Sequence, residues 1–244
     1  MTDHLPSGLD VLWGQRERPA REPKRGLTVD RIVQTAIELA DADGLEAVSM
    51  SRVAERLGFT TMALYRHVSS KDELLVLMLD AALGPPPRLD PPAAGWRARL
   101  ERWSTDMLAV LGRHPWWLRI PISPPPPTPS SLAWTDRGLA ALEETHLEEA
   151  DKAAIILMLN GLVFWEARLR AEIGRGGPHV EDPLAVYSTV MSAFADPEQF
   201  PALHRAVEAG IFEDESRDTD FGFSLGLALD GVERLVDTRA AARR

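Results

Sequence analysis

The fold is decided by residues 49–74, which read SMSRVAERLGFTTMALYRHVSSKDEL. Two short stretches of helix-forming residues flank Gly58, a residue that readily adopts the left-handed backbone conformation that ends a helix. Ser49 is placed to cap the first of these helices, and Thr60 or Thr61 to open the second. A short helix, a tight glycine turn and another short helix predict a helix-turn-helix, which presents its last helix to the major groove of DNA.

A longer helix is predicted on each side of this unit. Thr28 is a suitable N-cap for the first, which carries apolar residues at three- and four-residue spacing and ends at Gly44. On the other side, Ser70 and Glu73 match the capping box, in which each side chain bonds the backbone amide of the other. With these two helices the segment becomes a small helical head.

The rest of the chain is predicted to be helical as well. No segment combines alternating polarity with β-branched residues, so no strand is expected and the fold class is all-α. Proline-rich and glycine-rich stretches at 121–129 and 174–183 are predicted loops. The predicted elements of this larger C-terminal part are helices 96–111, 132–145, 148–173, 184–195, 198–210 and 218–239, with a short turn at 114–120.

Four parts follow from this pattern. Residues 1–26 lack periodicity and are predicted to be a flexible basic arm. Residues 27–74 form the helix-turn-helix domain, and residues 75–84 the helix that connects it to the body. Residues 85–244 form a C-terminal helical domain.

Composition excludes several classes of protein. The chain of 244 residues has a net charge of −10 and no cysteine, which rules out disulfides, iron–sulfur clusters and thiolate zinc sites. Residues 16–71 nevertheless carry ten basic and eight acidic side chains, so this N-terminal segment is basic relative to the rest of the chain, which is compatible with a small DNA-binding head. The longest apolar run, 153–165, is shorter than the ~20 residues that span a bilayer. Without a secretory signal, we expect a cytoplasmic protein with no membrane contact.

No motif for catalysis is present, so we expect that the chain is not an enzyme. The carboxylate pairs at 143–144 and 148–149 lie on amphipathic helices and are typical of solvated faces. The sequence has no serine elbow, phosphate-binding loop or HExxH motif. Its six histidines are scattered, so neither a metal site nor a cofactor is expected. Residues 124–127 are all proline and match an SH3 ligand or, more simply, a loop spacer.

Three segments resemble the signature of the tetracycline-repressor (TetR) family: Leu57-Gly58-Phe59, residues 63–68 (ALYRHV) and residues 70–74 (SKDEL). Residues 28–45 and 49–54 resemble the first two helices of that family. Residues 64–68 with Lys71 resemble the tetracycline repressors themselves, and the C-terminal helices resemble their ligand domain in pattern.

The resemblance implies contacts to double-stranded DNA. Tyr65, His67 and Lys71 would contact phosphates, the lysine near a helix N-terminus that also favours anions. Arg66 would read a guanine or bind a phosphate. The full predicted set is Ser49, Ser51, Thr60, Thr61, Met62, Ala63, Tyr65, Arg66, His67 and Lys71, of which 61–63 face base edges and the two serines the backbone.

Simpler roles compete with these contacts. Tyr65 borders the core and would then be a buried aromatic with a satisfied hydroxyl, and Ser49 would be only a helix cap. His67 and Lys71 would be ordinary surface residues. The arm at 16–25 either enters a minor groove or has no contact with DNA.

The resemblance also implies a small-molecule cavity in the body, which holds six of the seven tryptophans. The alternative is that these residues are plain core. The predicted lining is Trp103, Met107, His114, Trp134, Met158, Asn160, Phe164, Trp165 and Arg168, with the polar members fixing the ligand's orientation.

A palindromic operator needs two heads ~34 Å apart, so a homodimer is predicted. Helices 148–173 and 218–239 are predicted to form its four-helix interface, as in the family. The function predicted from these features is a ligand-responsive repressor that a small-molecule effector releases from DNA. The alternative is an architectural or activating DNA-binding protein without an effector. A solid core in the C-terminal domain, in place of a cavity, would favour this alternative.

Overall fold

The computed structural model describes residues 8–14, 26–88, 95–120, 127–173, 189–191, 193–210 and 217–242. Within these ranges the regular structure is entirely helical, which confirms the predicted all-α class. The α-helices are α1 (Leu9–Leu12), α2 (Val29–Asp43), α3 (Met50–Leu57), α4 (Thr61–Tyr65), α5 (Lys71–Leu83), α6 (Gly95–Arg113), α7 (Pro129–Ala141), α8 (Glu149–Ile173), α9 (Pro201–Glu208) and α10 (Arg217–Ala242). Three 3₁₀ turns lie at Leu45–Ala47, Pro115–Arg119 and Glu143–Thr145.

Helices α2 to α4 and the start of α5 form the head, and their ends are set by capping side chains. The Thr28 hydroxyl accepts from the Arg31 amide at 3.2 Å, and the Ser49 hydroxyl accepts from the Arg52 amide at 3.2 Å. Gly58 ends α3 at φ 75, where a side chain would be strained. The apolar faces of these helices meet in one core, whose fully buried members include Ile32, Val48, Val53, Leu64, Val68, Leu74 and Met78.

The capping box of α5 differs from its prediction in one contact. The Ser70 hydroxyl accepts from the Glu73 amide at 3.0 Å, as predicted. The Glu73 carboxylate reaches one residue further back, where it accepts from the Ser69 amide at 3.0 Å and from the Ser69 hydroxyl. Glu73 is fully buried, so its carboxylate cannot bind water. The bonds from Ser69 replace that hydration and offset the cost of burying the group.

The body is a helical bundle of α6, α7, α8 and α10. Its core is a second apolar cluster, which includes Leu100, Trp103, Leu111, Leu159 and Leu229. At Gly138 in α7 an added Cβ would lie 2.8 Å from Ile156 Cδ1, so the glycine permits close packing of α7 on α8. Arg97 Nη2 donates to Asp230 Oδ1 at 2.7 Å and links α6 to α10. This hydrogen bond raises the pKa of Arg97 above its ordinary value.

Three predicted boundaries are wrong. Residues 8–14, placed in a flexible arm, contain helix α1 with buried Leu9 and Val11. Pro129, placed in a loop, is the first residue of α7, where proline is tolerated because its missing amide would have no helical partner. The helix predicted at 132–145 is shorter at its end, since α7 stops at Ala141.

Other predicted features lie outside the described residues. These are the arm at 1–7 and 15–25, the loop at 121–126, the loop at 174–183 and the first part of helix 184–195.

Candidate nucleic-acid interface and ligand cleft

Helix α4 has one buried face and one exposed face. Leu64 is fully buried in the head, while Met62 and Tyr65 are 72% and 45% exposed. Thr61, Ala63 and His67 are partly buried, and Arg66 is exposed. This exposed surface of a short helix, anchored by a single leucine, has the shape and position needed to enter a DNA groove. The reading of Tyr65 as a buried aromatic is not supported.

Three of the hydroxyl groups near α3 and α4 already have partners. The Ser49 hydroxyl caps α3 and lies 3.1 Å from the Ser51 hydroxyl. The Thr60 hydroxyl caps α4 by accepting from the Ala63 amide at 3.3 Å. Ser49 and Thr60 therefore set the positions of the helices, whatever contacts they add on DNA.

Four cations lie on or next to the helices of the helix-turn-helix, two on α3, one at the end of α4 and one at the start of α5. Arg52 forms an exposed ion pair with Asp43 at 2.9 Å. Within the described part of the chain, Arg56, Arg66 and Lys71 have no ion-pair partner. Lys71 is also the first residue of α5, where the helix dipole adds partial positive charge. These cations are available to bind phosphate oxygens.

A cleft of about 520 Å³ lies between the C-terminal halves of α6 and α8. Small residues on both helices, such as Ala109, Gly112 and Ala167, leave this space open, and a Cβ at Gly112 would meet no atom within 4 Å. The complete lining is Thr105, Leu108, Ala109, Leu111, Gly112, Pro115, Ala167, Arg170 and Ala171. The wall is thus largely apolar with one guanidinium, a composition typical of small-molecule sites.

Helices α8 and α10 both expose large apolar side chains, which together we call their exposed apolar surface. On α8, Leu157 and Trp165 are 74% and 66% exposed, and on α10, Leu227 is 57% exposed. Met158, Leu169 and Phe223 are exposed on the same two helices. Such a concentration of large apolar side chains is unusual for a surface that stays in water.

Residues 87–236 match the family described as tetracyclin repressor-like, C-terminal domain, and residues 32–78 match bacterial regulatory proteins, tetR family. The chain belongs to the TetR family. Its members are DNA-binding transcriptional regulators, so the expectation that the chain is not an enzyme is confirmed.

Relatives of known description agree with this assignment to the TetR family. The chain is 37% identical to the HTH-type transcriptional repressor DrrR1 of Streptomyces coeruleorubidus, over 95% of this chain and 86% of the relative. Among solved structures, apo ActR of Streptomyces coelicolor is similar with a TM-score of 0.74 and 26% identity, over 90% of this chain and 100% of ActR. ActR in complex with actinorhodin gives a TM-score of 0.75 and 26% identity, over 86% and 99%.

In this TetR-family body, none of the nine predicted ligand residues lines the cleft. Trp103, Met107 and Trp134 come together, but in the packed core. Trp103 Nε1 donates to the Trp134 carbonyl at 3.0 Å, and the two rings are in edge contact at 6.1 Å. For these three residues the alternative of plain core describes the observed packing.

The other six predicted ligand residues are spread over the body. Met158, Trp165 and Arg168 are exposed on α8, and Arg168 pairs with Glu172 at 3.0 Å. Asn160 is partly buried, and Phe164 packs against Trp117 with ring centres 6.1 Å apart. His114 contacts Asp41 of the head.

The cleft residues were missed because they are mostly small or aliphatic. Aromatic residues are the usual sign of a pocket in a sequence, whereas open space arises where alanine and glycine on facing helices leave volume unfilled. The small residues within 105–112 and 167–171 are visible in the sequence and could have indicated open space. That these two groups face each other across the cleft follows only from the packing of α6 on α8.

No helix among the described residues is long and apolar enough to cross a membrane. No group of three or more His, Asp or Glu side chains there is arranged to hold a metal ion.

Proposed function

We propose that this chain is a homodimeric transcriptional repressor that binds a palindromic operator and is released by a small molecule bound in its C-terminal domain. The observation that carries the proposal is the exposed face of α4, where Met62 and Tyr65 point away from a head that buries Leu64. Similarity to the repressor DrrR1 supports the direction of regulation.

On DNA, the exposed face of α4 reads bases while its surroundings bind the backbone. Thr61, Met62 and Ala63 contact base edges, and the apolar side chains of the last two suit a thymine methyl group. Tyr65 and Lys71 bind phosphates, with further phosphate contacts from His67 and from the hydroxyls of Ser49, Ser51 and Thr60. Arg66 is exposed and reaches either a guanine or a phosphate.

Dimerisation supplies the second head. The exposed apolar surface of α8 and α10, with Leu157, Trp165 and Leu227, becomes the centre of a four-helix interface between two copies. An isologous contact of this kind relates the two α4 helices by a two-fold axis, which a palindromic operator shares.

The effector binds in the cleft between α6 and α8, in place of the aromatic cluster that the sequence suggested. Its volume and mostly apolar wall suit a small organic molecule, and the ActR structure with actinorhodin shows a similar fold holding one. The presence of this cleft favours a ligand-responsive regulator over an architectural protein without an effector. To release DNA, the effector needs to bind the released state more tightly by ~1–3 kcal/mol.

Selection from a random duplex pool with the purified full-length protein tests the DNA-binding part. We expect enrichment of an inverted repeat whose half-sites are centred ~10 base pairs apart. Repeating the selection with Thr61→Ala should change the preferred bases, whereas Lys71→Ala should keep them. Arg66→Ala distinguishes the two contacts of Arg66, since a changed base preference indicates a guanine and an unchanged one a phosphate. Failure to enrich any sequence, or enrichment of a lone half-site, would contradict the proposal.

The effector part is tested on the selected operator by gel-shift titration. A compound is taken to bind in the cleft when the Ala109→Phe variant no longer binds it. At a saturating concentration, such a compound should release the DNA from the unchanged protein. Full operator affinity at saturation would contradict release as the mode of regulation.

A further inference from the structure

One tryptophan of the body lies in the core of the head. Trp116 belongs to the 3₁₀ turn Pro115–Arg119 that follows α6, yet it is only 2% exposed and is part of the head's apolar cluster. Its neighbour Leu118 packs on the body's own cluster. The turn after α6 is therefore shared by the two cores.

The same turn makes three polar contacts to the head. Trp116 Nε1 donates to Asp41 Oδ1, near the end of α2, at 2.7 Å. His114 Nδ1 lies 2.9 Å from that oxygen and 3.2 Å from Asp41 Oδ2, and it is the donor because an ionised carboxylate only accepts. Arg119 Nη1 donates to Glu46 Oε1 at 2.8 Å. We name Asp41, His114 and Trp116 together the Asp41 contact.

The Asp41 contact adjoins the cleft along the chain. Gly112 and Pro115 both line the cleft, and His114 lies between them in sequence. A molecule that presses on these two lining residues acts on the backbone that carries His114 and Trp116. Because the Asp41 carboxylate holds both side chains against α2, a small displacement of this backbone is passed to the head through these bonds.

Two other bonds between α5 and α7 do not reach the cleft in this way. Asp80 Oδ1 of α5 accepts from the Ser130 amide at 2.8 Å, and Trp134 Nε1 donates to the Gly84 carbonyl at 3.1 Å. These bonds hold α5 against α7, and none of their four residues lines the cleft. These bonds therefore hold α5 in place, and a molecule in the cleft would not contact them.

We propose that the Asp41 contact is the switch through which occupation of the cleft changes the orientation of the DNA-binding head. This inference rests on the proposed function, since it assumes that the cleft is the effector site. Asp41 is a positioning residue: it touches neither DNA nor effector, and it fixes the head by holding Trp116 and His114. Binding linkage is reciprocal, so operator binding in turn disfavours occupation of the cleft.

A side chain built into the cleft tests the switch without any ligand. Gly112→Phe places a ring beside an open space, while Gly112→Ala adds only a methyl group there and is the matched control. In the otherwise unchanged full-length chain, we expect Gly112→Phe to weaken binding of the selected operator about tenfold or more, within the range typical of allosteric coupling. Gly112→Ala should leave the affinity within about twofold.

The decisive comparison repeats Gly112→Phe in an Asp41→Ala background. Without the carboxylate, the ring should weaken operator binding by less than about twofold, because the displaced turn no longer moves the head. Asp43→Ala is the matched background, since Asp43 lies on the same helix and pairs only with Arg52 of the head among the described residues. There the full loss should persist. Equal losses in the Asp41→Ala and Asp43→Ala backgrounds would overturn the proposal, as would no loss from Gly112→Phe in a folded protein.

A distance measurement gives a second readout that needs no DNA. The chain has no cysteine, so Glu55→Cys on α3 and Arg102→Cys on α6 accept spin labels at two unique exposed sites. Labelled chain is diluted into excess unlabelled chain, which leaves one labelled copy per assembly. Gly112→Phe should shift the head–body distance, and Asp41→Ala or Trp116→Phe should abolish the shift. A shift that persists in both variants overturns the switch and leaves the proposed function intact. Failure of the operator selection, in contrast, refutes the proposed function and does not test the distance shift.

Discussion

At the scale of single residues, Lys71 combines two sources of affinity for phosphate. It is an exposed cation without an ion-pair partner among the described residues, and it stands in the first turn of α5. Phosphate contacts release counterions and carry no sequence information. We expect Lys71→Ala to weaken binding of all duplexes alike and to reduce the slope of log affinity against log salt by about one unit.

Fluorescence anisotropy between low and physiological salt measures this slope. Arg102→Ala is the control, since Arg102 is an exposed cation on α6 that pairs with Asp106 far from α4. Its slope should equal that of the unchanged protein. An unchanged slope for Lys71→Ala would show that this lysine does not bind phosphate.

Ser104 is a second residue with a definite expected effect. Its hydroxyl is fully buried in the body and has no hydrogen-bond partner among the described residues. Burying an unsatisfied hydroxyl costs about 1–3 kcal/mol, and alanine also favours the helix. We expect Ser104→Ala to raise the free energy of unfolding by about 1 kcal/mol in urea denaturation. Thr105→Ala is the neighbouring control, and lower stability of Ser104→Ala would show that the Ser104 hydroxyl forms a stabilising hydrogen bond.

Residues that act locally were predicted well. Caps at Thr28, Ser49, Thr60 and Ser70 follow from short sequence motifs, because a cap bonds an amide only two or three residues away. Trp103 and Trp134 were misjudged as cavity lining because a tryptophan in a core and one in a pocket follow the same helical pattern. Only the packing of separate helices distinguishes them.

At the scale of elements, α1 is the clearest departure from the sequence-based prediction. Four helical residues are too few to give a periodic signal, and their stability comes from tertiary packing. Gly8 precedes α1 at φ 101, and an added Cβ would lie 3.2 Å from Val76 Cβ of α5. At its other end Trp13 Nε1 donates to the Pro127 carbonyl at 3.0 Å, next to α7. The element therefore connects the head with the body.

Docking of α1 predicts a stability effect from a segment that the sequence predicted to be flexible. Leu9 is 1% exposed, and truncation of a buried leucine to alanine typically costs about 2–5 kcal/mol. We expect Leu9→Ala to lower the free energy of unfolding within that range, measured in urea at fixed protein concentration. Leu132→Ala, at an exposed leucine on α7, should change it by less than about 0.5 kcal/mol. Equal stability of the two variants would mean that α1 does not dock.

At the scale of the whole molecule, charge and apolar surface are separated. Residues 16–71 have a net charge of +2, so the remainder carries −12. The positive balance comes from residues 16–25, which carry five basic and two acidic side chains. Phosphates attract this N-terminal segment and repel the acidic remainder, which orients the molecule toward DNA through its N-terminal side. The exposed apolar residues of α8 and α10 lie on the body, away from the reading helix. This separation was visible in the sequence, but the identity of the exposed residues on each helix required the fold.

The last prediction concerns that apolar surface. Leu157→Lys combined with Leu227→Lys places two charges where a second copy would bury leucines, and unpaired charges are costly to bury. We expect sedimentation velocity to change from a dimer to a monomer, while the far-UV circular dichroism stays helical. Loss of the second head should weaken operator binding by about 10²-fold or more, because linked binding sites gain that factor from effective concentration. Leu132→Lys adds a charge at an exposed leucine of α7 and should leave the dimer intact. A double variant that still sediments as a dimer would place the interface elsewhere.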